Sequence, residues 1–297
     1  FRERADAGPF PMAIVGRPNS GKSSLVNALL GENRLITSEV PGTTRDAVGV
    51  PFTYGGREYL LVDTAGLRKR KKVRGELLER LTVVRALEHI RRSRLALMLV
   101  DVREGLVSQD AKILGYALEE GRAAILVFNK SDLIVLNRAE RRRLTDDAHA
   151  LLGFAAHLPV AFVSATERLG LKILMAEIGR VAEAFGRKVS TPELNRILQK
   201  AQQDHPPPLH RGKEVRMLYG VQTGASPPRF TVFLNRKAQL HFSWRRFLEN
   251  RLREAGGWAG VPLFVEYRME KRPRRQKGSS DDAKSVSGAA PKKRGRR

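Results

Sequence analysis

The stretch GRPNSGKS, Gly16 to Ser23, constrains the fold more than any other part of this chain. It follows MAIVG, an apolar run with the length and β-branching of a buried strand. It precedes SSLVNALLG, which reads as a helix with Gly31 as its C-cap. The pattern G-x-x-x-x-G-K-[ST] between strand and helix is that of a phosphate-binding loop. Its glycines let backbone N–H groups approach phosphates, Lys22 reaches the β- and γ-phosphates, and Ser23 ligates Mg²⁺. The helix N-terminus adds partial positive charge. Gly16, Asn19, Ser20, Gly21, Lys22, Ser23 and Ser24 are therefore the expected phosphate-facing set.

The sequence around this loop alternates strands with helices. REYLLVD, LALMLVD, AAILVFN and LPVAFVS are apolar runs, each ending in a polar residue. ELLERLTVVRALEHI and SQDAKILGYALEEG between them are helical. Continuous rather than alternating apolarity marks strands buried on both faces, so the expectation is a mostly parallel sheet with helices on both sides. Residues 1–10 read as a linker, and this first domain spans 11–186.

Four further elements follow the loop in order. PGTTRD offers Thr43 and Thr44 as a second Mg²⁺ ligand, Thr44 being the candidate carried forward. DTAG places Asp63 at a strand end, suited to hold Mg²⁺ through water, with Gly66 giving its N–H to a γ-phosphate. In NKSD, Asp132 can accept hydrogen bonds from guanine N1–H and the N2 amino group, neither of which adenine offers. Asn129 would brace the loops and Lys130 would lie over the base. Ser164 and Ala165 follow another strand, where a backbone N–H could read guanine O6. Together these five elements indicate GTP/GDP with Mg²⁺. Lys22, Thr44, Gly66 and Asn19 are the candidates nearest the chemistry.

After residue 186 the character changes. STPELNRILQKAQQDH is a helix opened by a Ser190/Glu193 capping box. EVRMLYGVQTG and RFTVFLNR form a strand pair around GASPP, SWRRFLENRLREAG is a helix, and VPLFVEYRM is a last strand. This αββαβ order gives a small α+β domain over 187–270. Trp244 and Phe247 read as core residues of an amphipathic helix rather than as a stacking platform. Residues 271–297 are Lys/Arg/Ser/Gly-rich without periodicity, a basic tail expected to be disordered. The formal net charge is +24, which points to a polyanionic partner. With no lipidation motif, and no apolar run approaching the ~20 residues that span a bilayer, nucleic acid is favoured over membrane. The chain has no cysteine, so disulfides and thiolate metal sites are excluded, and no metal site beyond Mg²⁺ stands out.

GRPNSGKSSLVNALLG, PGTTRD, DTAGLRKRKK and NKSD resemble the second GTPase domain of the bacterial Der (EngA) family. STPELNRILQKAQQDHPPPLHRGK and HFSWRRFLENRLREAGGWAGVPL resemble its C-terminal KH-like domain. The resemblance implies an α/β P-loop GTPase domain followed by a KH-like domain. It also implies slow GTP hydrolysis coupled to assembly of the large (50S) ribosomal subunit, with rRNA contact, in the bacterial cytoplasm. Members carry two tandem GTPase domains. This chain is then a monomeric fragment whose KH-like domain packs on GTPase domains, one of them N-terminal and absent here. The resemblance further implies K⁺ beside the phosphates, coordinated by Asn19, in the place of an arginine finger; Arg45 is a second candidate cation. Leu67 stands where Ras-like GTPases carry the Gln that orients water. Residues 36–46 and 64–74 are the expected switch segments, and Arg68 to Lys72 would present a phosphate-binding patch. Two departures are visible. The fifth element continues as SATERLG, and the KH-like domain lacks a GxxG loop. The alternatives are a GTPase of another RNA process, such as tRNA modification, or a GTP-binding module with negligible hydrolysis.

Overall fold

The computed structural model describes residues 8–32, 49–62 and 76–270, the side chains of 76–82 excepted. In chain order the elements are β1 (Phe10–Val15), α1 (Lys22–Glu32), β2 (Gly49–Tyr54), β3 (Arg57–Val62), α2 (Glu76–Arg91), β4 (Leu95–Asp101), α3 (Ser108–Glu119), β5 (Ala123–Asn129), α4 (Arg138–Leu151), β6 (Val160–Phe162) and α5 (Leu171–Phe185). A short 3₁₀ turn, Ser131–Leu133, follows β5. The strands form one sheet in the order β2-β3-β1-β4-β5-β6. Only β2 runs antiparallel to its neighbour.

The two-residue repeat of a strand divides this sheet cleanly. Met12, Ile14, Leu95, Leu97, Leu99, Ile125 and Val127 enter one apolar cluster with Leu25 and Leu29 of α1 and Leu174 and Ile178 of α5. Ala13, Val15, Met98, Val100, Leu126 and Phe128 enter the other, with Ile90 of α2, Leu114 of α3 and Leu144 of α4. Both faces are thus covered, and every residue of β4 and β5 is buried.

The second unit comprises α6 (Thr191–Asp204), β7 (Met217–Ala225), β8 (Pro228–Leu234), α7 (Phe242–Gly256) and β9 (Phe264–Met269). Its sheet has the order β7-β8-β9, with β7 antiparallel and β9 parallel to β8. The Ser190 Oγ accepts from the Glu193 N–H at 3.3 Å and starts α6. Leu194, Leu198, Leu248 and Leu252 are buried against Phe230, Val232 and Leu234; each leucine contributes roughly 1.5–3 kcal/mol relative to exposure. Trp244 is buried, and its Nε1–H donates to the His205 carbonyl at 3.1 Å.

The second unit caps one end of the larger sheet. The Ala124 N–H at the start of β5 donates to the Gly260 carbonyl at 2.8 Å, and the Gly260 N–H donates to the His157 carbonyl at 3.3 Å. The Arg246 guanidinium donates to the Gly153 carbonyl. Gly260 has φ +72°, and a Cβ there would lie 2.9 Å from both the Ala124 carbonyl and the Pro159 ring, so the approach needs a glycine.

Three sequence expectations shift. Gly31 lies inside α1, which runs to Glu32, rather than capping it. β1 begins at Phe10, a buried residue that stacks edge-on against Phe185, one position inside the expected linker. The edge strand β2 has no counterpart in the sequence reading. Thr43, Thr44, Arg45, Asp63, Gly66, Leu67, Arg68 to Lys72 and the tail from residue 271 lie outside the described residues.

Candidate functional site

β1, β4, β5 and β6 run parallel, so their C-terminal ends open on one edge of the sheet. Open parallel sheets bind ligands at that edge. Residues 16–21 leave β1 there and turn into α1. Gly16 has φ +147° and Gly21 has φ +93°; a Cβ on the first would strike the Leu99 carbonyl, and on the second the Asn129 amide. Asn19 has φ 64°, a left-handed conformation that Asn tolerates better than most residues, and its side chain is exposed.

The Lys22 ammonium folds back over the loop, donating to the carbonyls of Gly16 at 2.8 Å and Arg17 at 2.6 Å. Burial lowers its pKa to about 8, partly offset by attraction to Asp110. Ser23 and Ser24 sit exposed in the first turn of α1. The Ser20 hydroxyl is buried inside the loop, with no hydrogen-bond partner among the described residues. Side-chain-free glycines, a cation, a helix N-terminus and an orphaned hydroxyl together suit a polyphosphate in charge and hydrogen bonding.

Asn129, 1% exposed at the end of β5, connects this loop to the next two. Its Nδ2 donates to the Ser20 carbonyl at 2.9 Å, and its Oδ1 accepts from the Ala165 N–H at 3.1 Å. The Ala165 N–H is therefore engaged, and a base oxygen placed there would share or displace that bond. Ser164 is fully buried, and its hydroxyl accepts from the Glu167 N–H at 3.1 Å. The Ser131 N–H donates to the Val163 carbonyl at 3.0 Å and ties the 3₁₀ turn to the same strand ends. Asp132 stands exposed on that turn.

Three residues at this edge escaped the sequence reading. Asp101 ends β4, and its carboxylate accepts from the Lys130 ammonium at 2.8 Å and the Arg103 N–H at 3.0 Å. Burial alone would raise its pKa, but the bonds from Lys130 and Arg103 outweigh it and hold the carboxyl at about 2. Arg17 reaches from the phosphate loop to the buried Asp110 of α3 at 3.2 Å, to Glu104 at 2.9 Å and to the Gly105 carbonyl at 2.9 Å. Asp101 did carry a signal: it is the polar end of an apolar strand, like Asn129. Arg17 and Asp110 carried none, since 93 residues separate them.

Comparison with known proteins matches both units. Residues 11–130 match the family model of 50S ribosome-binding GTPases, and residues 188–268 match that of the C-terminal KH-domain-like region of EngA bacterial GTPases. The GTPase Der of Syntrophotalea carbinolica is 41% identical over 257 residues, covering 86% of this chain and 58% of that protein. That of Staphylococcus epidermidis is 42% identical over 260 residues, covering 88% and 59%. That of Symbiobacterium thermophilum is 40% identical over 270 residues, covering 91% and 57%. The chain therefore spans under two thirds of the length of these relatives. By both of its units it belongs to the Der (EngA) family: a P-loop GTPase domain followed by a KH-like domain.

Proposed function

We propose that this chain binds GTP with Mg²⁺, hydrolyses it slowly, and acts on the large ribosomal subunit in the bacterial cytoplasm, contacting rRNA according to nucleotide state. The observation that carries the reading is the Asn129 bridge between the loop before Lys22 and the loop after Val163. It supports a reading in which a phosphate cradle and a guanine-reading Asp132 share one edge of the sheet. Lys22 and the backbone of Gly16 to Ser23 would hold the phosphates, Asp132 the base, and Ser23 the Mg²⁺ together with Thr44 and Asp63. The metal supplies charge neutralisation at the β- and γ-phosphates. The remaining charge in the transition state requires a further cation, and K⁺ beside the exposed Asn19 fills that need without a glutamine at position 67. Family membership supports the ribosomal partner, since one matched family is that of 50S ribosome-binding GTPases.

Single-turnover hydrolysis in KCl and in NaCl at equal ionic strength tests the enzymatic part, with Asn19→Ala alongside. Faster hydrolysis in K⁺ that the variant loses is the expected result. Equal and negligible rates in both salts would leave a GTP-binding module in place of an enzyme.

A further inference from the structure

The KH-like domain has no GxxG loop, the element that clamps the nucleic-acid backbone in ordinary KH domains. It nevertheless carries a different basic device, just ahead of β7. HRGK, His210 to Lys213, is a two-residue hairpin closed by reciprocal bonds, His210 N–H to the Lys213 carbonyl at 2.9 Å and Lys213 N–H to the His210 carbonyl at 3.1 Å. Both central residues are left-handed, Arg211 at φ 51° and Gly212 at φ 71°. That is the I′ pattern, in which Asn, Asp or Gly is usual at the first position. A long-chain arginine is conformationally unfavourable there, so its presence calls for an explanation beyond turn formation.

The neighbourhood gives one. Asn235, just past β8, accepts from the Arg216 N–H at 3.0 Å, and its own N–H donates to the Arg216 carbonyl at 3.0 Å. These bonds bring Arg236 and Lys237 beside the segment that carries Arg211, Lys213 and Arg216. Arg211, Lys213 and Lys237 are exposed. Among the described residues, none of these three nor Arg236 pairs with a carboxylate, and the Arg236 Nε is buried without a hydrogen-bond partner. The acids nearby are committed or few: Glu214 pairs with Arg216 at 3.2 Å, and Glu266 with Arg268 at 2.8 Å. Glu270 also closes onto this end, its N–H donating to the Leu234 carbonyl at 3.0 Å, and the sequence then continues KRPRR.

The location is equally informative. The opposite tip of the β7–β8 hairpin, at Pro227, meets Gly121 of the GTPase domain. Seven residues of β8 separate the two ends, about 20 Å of extended chain. The basic end therefore faces away from the GTPase domain and from the nucleotide edge beyond it. We infer that the His210–Lys213 turn, with Arg216, Arg236 and Lys237, is the phosphate-backbone contact of this domain for RNA, replacing the missing GxxG loop. The inference rests on the proposed rRNA reading and names the surface that would carry it. Guanidinium and ammonium groups on a turn and strand ends suit a phosphate backbone. A membrane surface would be met by an amphipathic helix with an apolar face to insert, and among the described residues none is present at this end.

The test uses the full chain and two labelled probes, a 20-nucleotide single-stranded RNA and a duplex RNA of the same length, with anisotropy read across a salt series. The variant is Arg211→Gly/Lys213→Gln/Lys237→Gln, whose glycine suits the left-handed position and leaves the turn intact. A second variant replaces the four basic residues of Lys271 to Arg275 by Gln, to separate the tail. The triple variant is expected to weaken RNA binding by tenfold or more. The slope of log affinity against log salt should also fall by about 2, since each lost phosphate contact removes roughly 0.7–0.9. GTP hydrolysis should be unchanged. Wild-type affinity and slope retained in the triple variant, with the loss confined to the tail variant, would overturn the inference. So would an effect seen on phosphatidylserine vesicles but not on RNA. A wild-type chain that binds neither RNA would sink the rRNA reading along with it.

Discussion

The two ends of the six-stranded sheet are built to opposite specifications. At the C-terminal ends of the strands the backbone takes left-handed turns at Gly16, Asn19, Gly21 and Lys130, a lysine is held well below its ordinary pKa, and a buried serine hydroxyl has no partner among the described residues. At the N-terminal ends the KH-like domain closes over the strands with paired backbone bonds at Ala124, His157 and Gly260. One end keeps polar groups under-satisfied, where a ligand would complete them. The other is covered by the second domain, which pairs backbone with backbone there although Arg122 Nε, His157 Nε2 and Trp258 Nε1 stay buried without a partner among the described residues. Burial drives both, but it produces a binding edge only where the unpaired groups line backbone that a ligand can reach.

The largest effect should come at the open end. On the proposed reading Asp132→Asn removes an ionised acceptor of two guanine hydrogen bonds and is expected to weaken GTP by roughly a thousandfold, at ~2 kcal/mol per charge-assisted bond. The same change should admit xanthine nucleotides, whose O2 can accept from the new amide. Titration of GTP and XTP against the variant checks this. If the thermal unfolding of the KH-like domain moved as well, the two ends would not be independent.

Gly260→Ala acts at the closed end. A Cβ at a left-handed residue, pressed against the Ala124 carbonyl and Pro159, should lower stability by about 2–4 kcal/mol. GTP affinity should change less than threefold. Urea unfolding followed by tryptophan fluorescence measures the first, since both tryptophans are buried in the KH-like domain. A large loss of GTP affinity would contradict the separation.

pH should divide the ends by sign. The His157 imidazole at the closed end is held down to about 3, first by burial and then by Arg253 and His149. Below its ordinary value of 6.5 the unfolded chain takes up the proton and the folded chain does not. Stability should therefore fall as pH drops from about 6.5 toward 3, and His157→Gln should flatten that slope. Lys22 at the open end titrates near 8 without nucleotide, and phosphate must restore its charge. GTP affinity should therefore fall as pH rises above 8, by up to about tenfold per unit. Denaturant midpoints and nucleotide affinities across pH 4 to 9.5 test both arms. A nucleotide affinity flat from pH 7 to 9.5 would remove Lys22 from the phosphate contact.

Most of the architecture was legible because its signals are local. Buried parallel strands announce themselves as unbroken apolar runs, and α6 by its Ser190 cap. β2 was missed because an antiparallel edge strand is only partly covered and its residues, GVPFTY, show no such run. The Gly55–Gly56 turn beside it was the available cue. Gly31 misled because glycine ends helices more often than it sits within them, and here packing carries α1 past it.

The sequence by itself determined the phosphate loop, the order of the nucleotide elements and the αββαβ character of the second unit, since each follows from residues a few positions apart. Tertiary structure alone decided that Asn129 bonds Ser20 across 109 residues, that Arg17 anchors the loop to Asp110, that Gly260 closes on Ala124, and that Arg216 and Asn235 pair beside one end of a sheet. Such contacts have no periodicity to read. They arise only when the apolar faces have set the strand order and brought distant polar ends within hydrogen-bond reach.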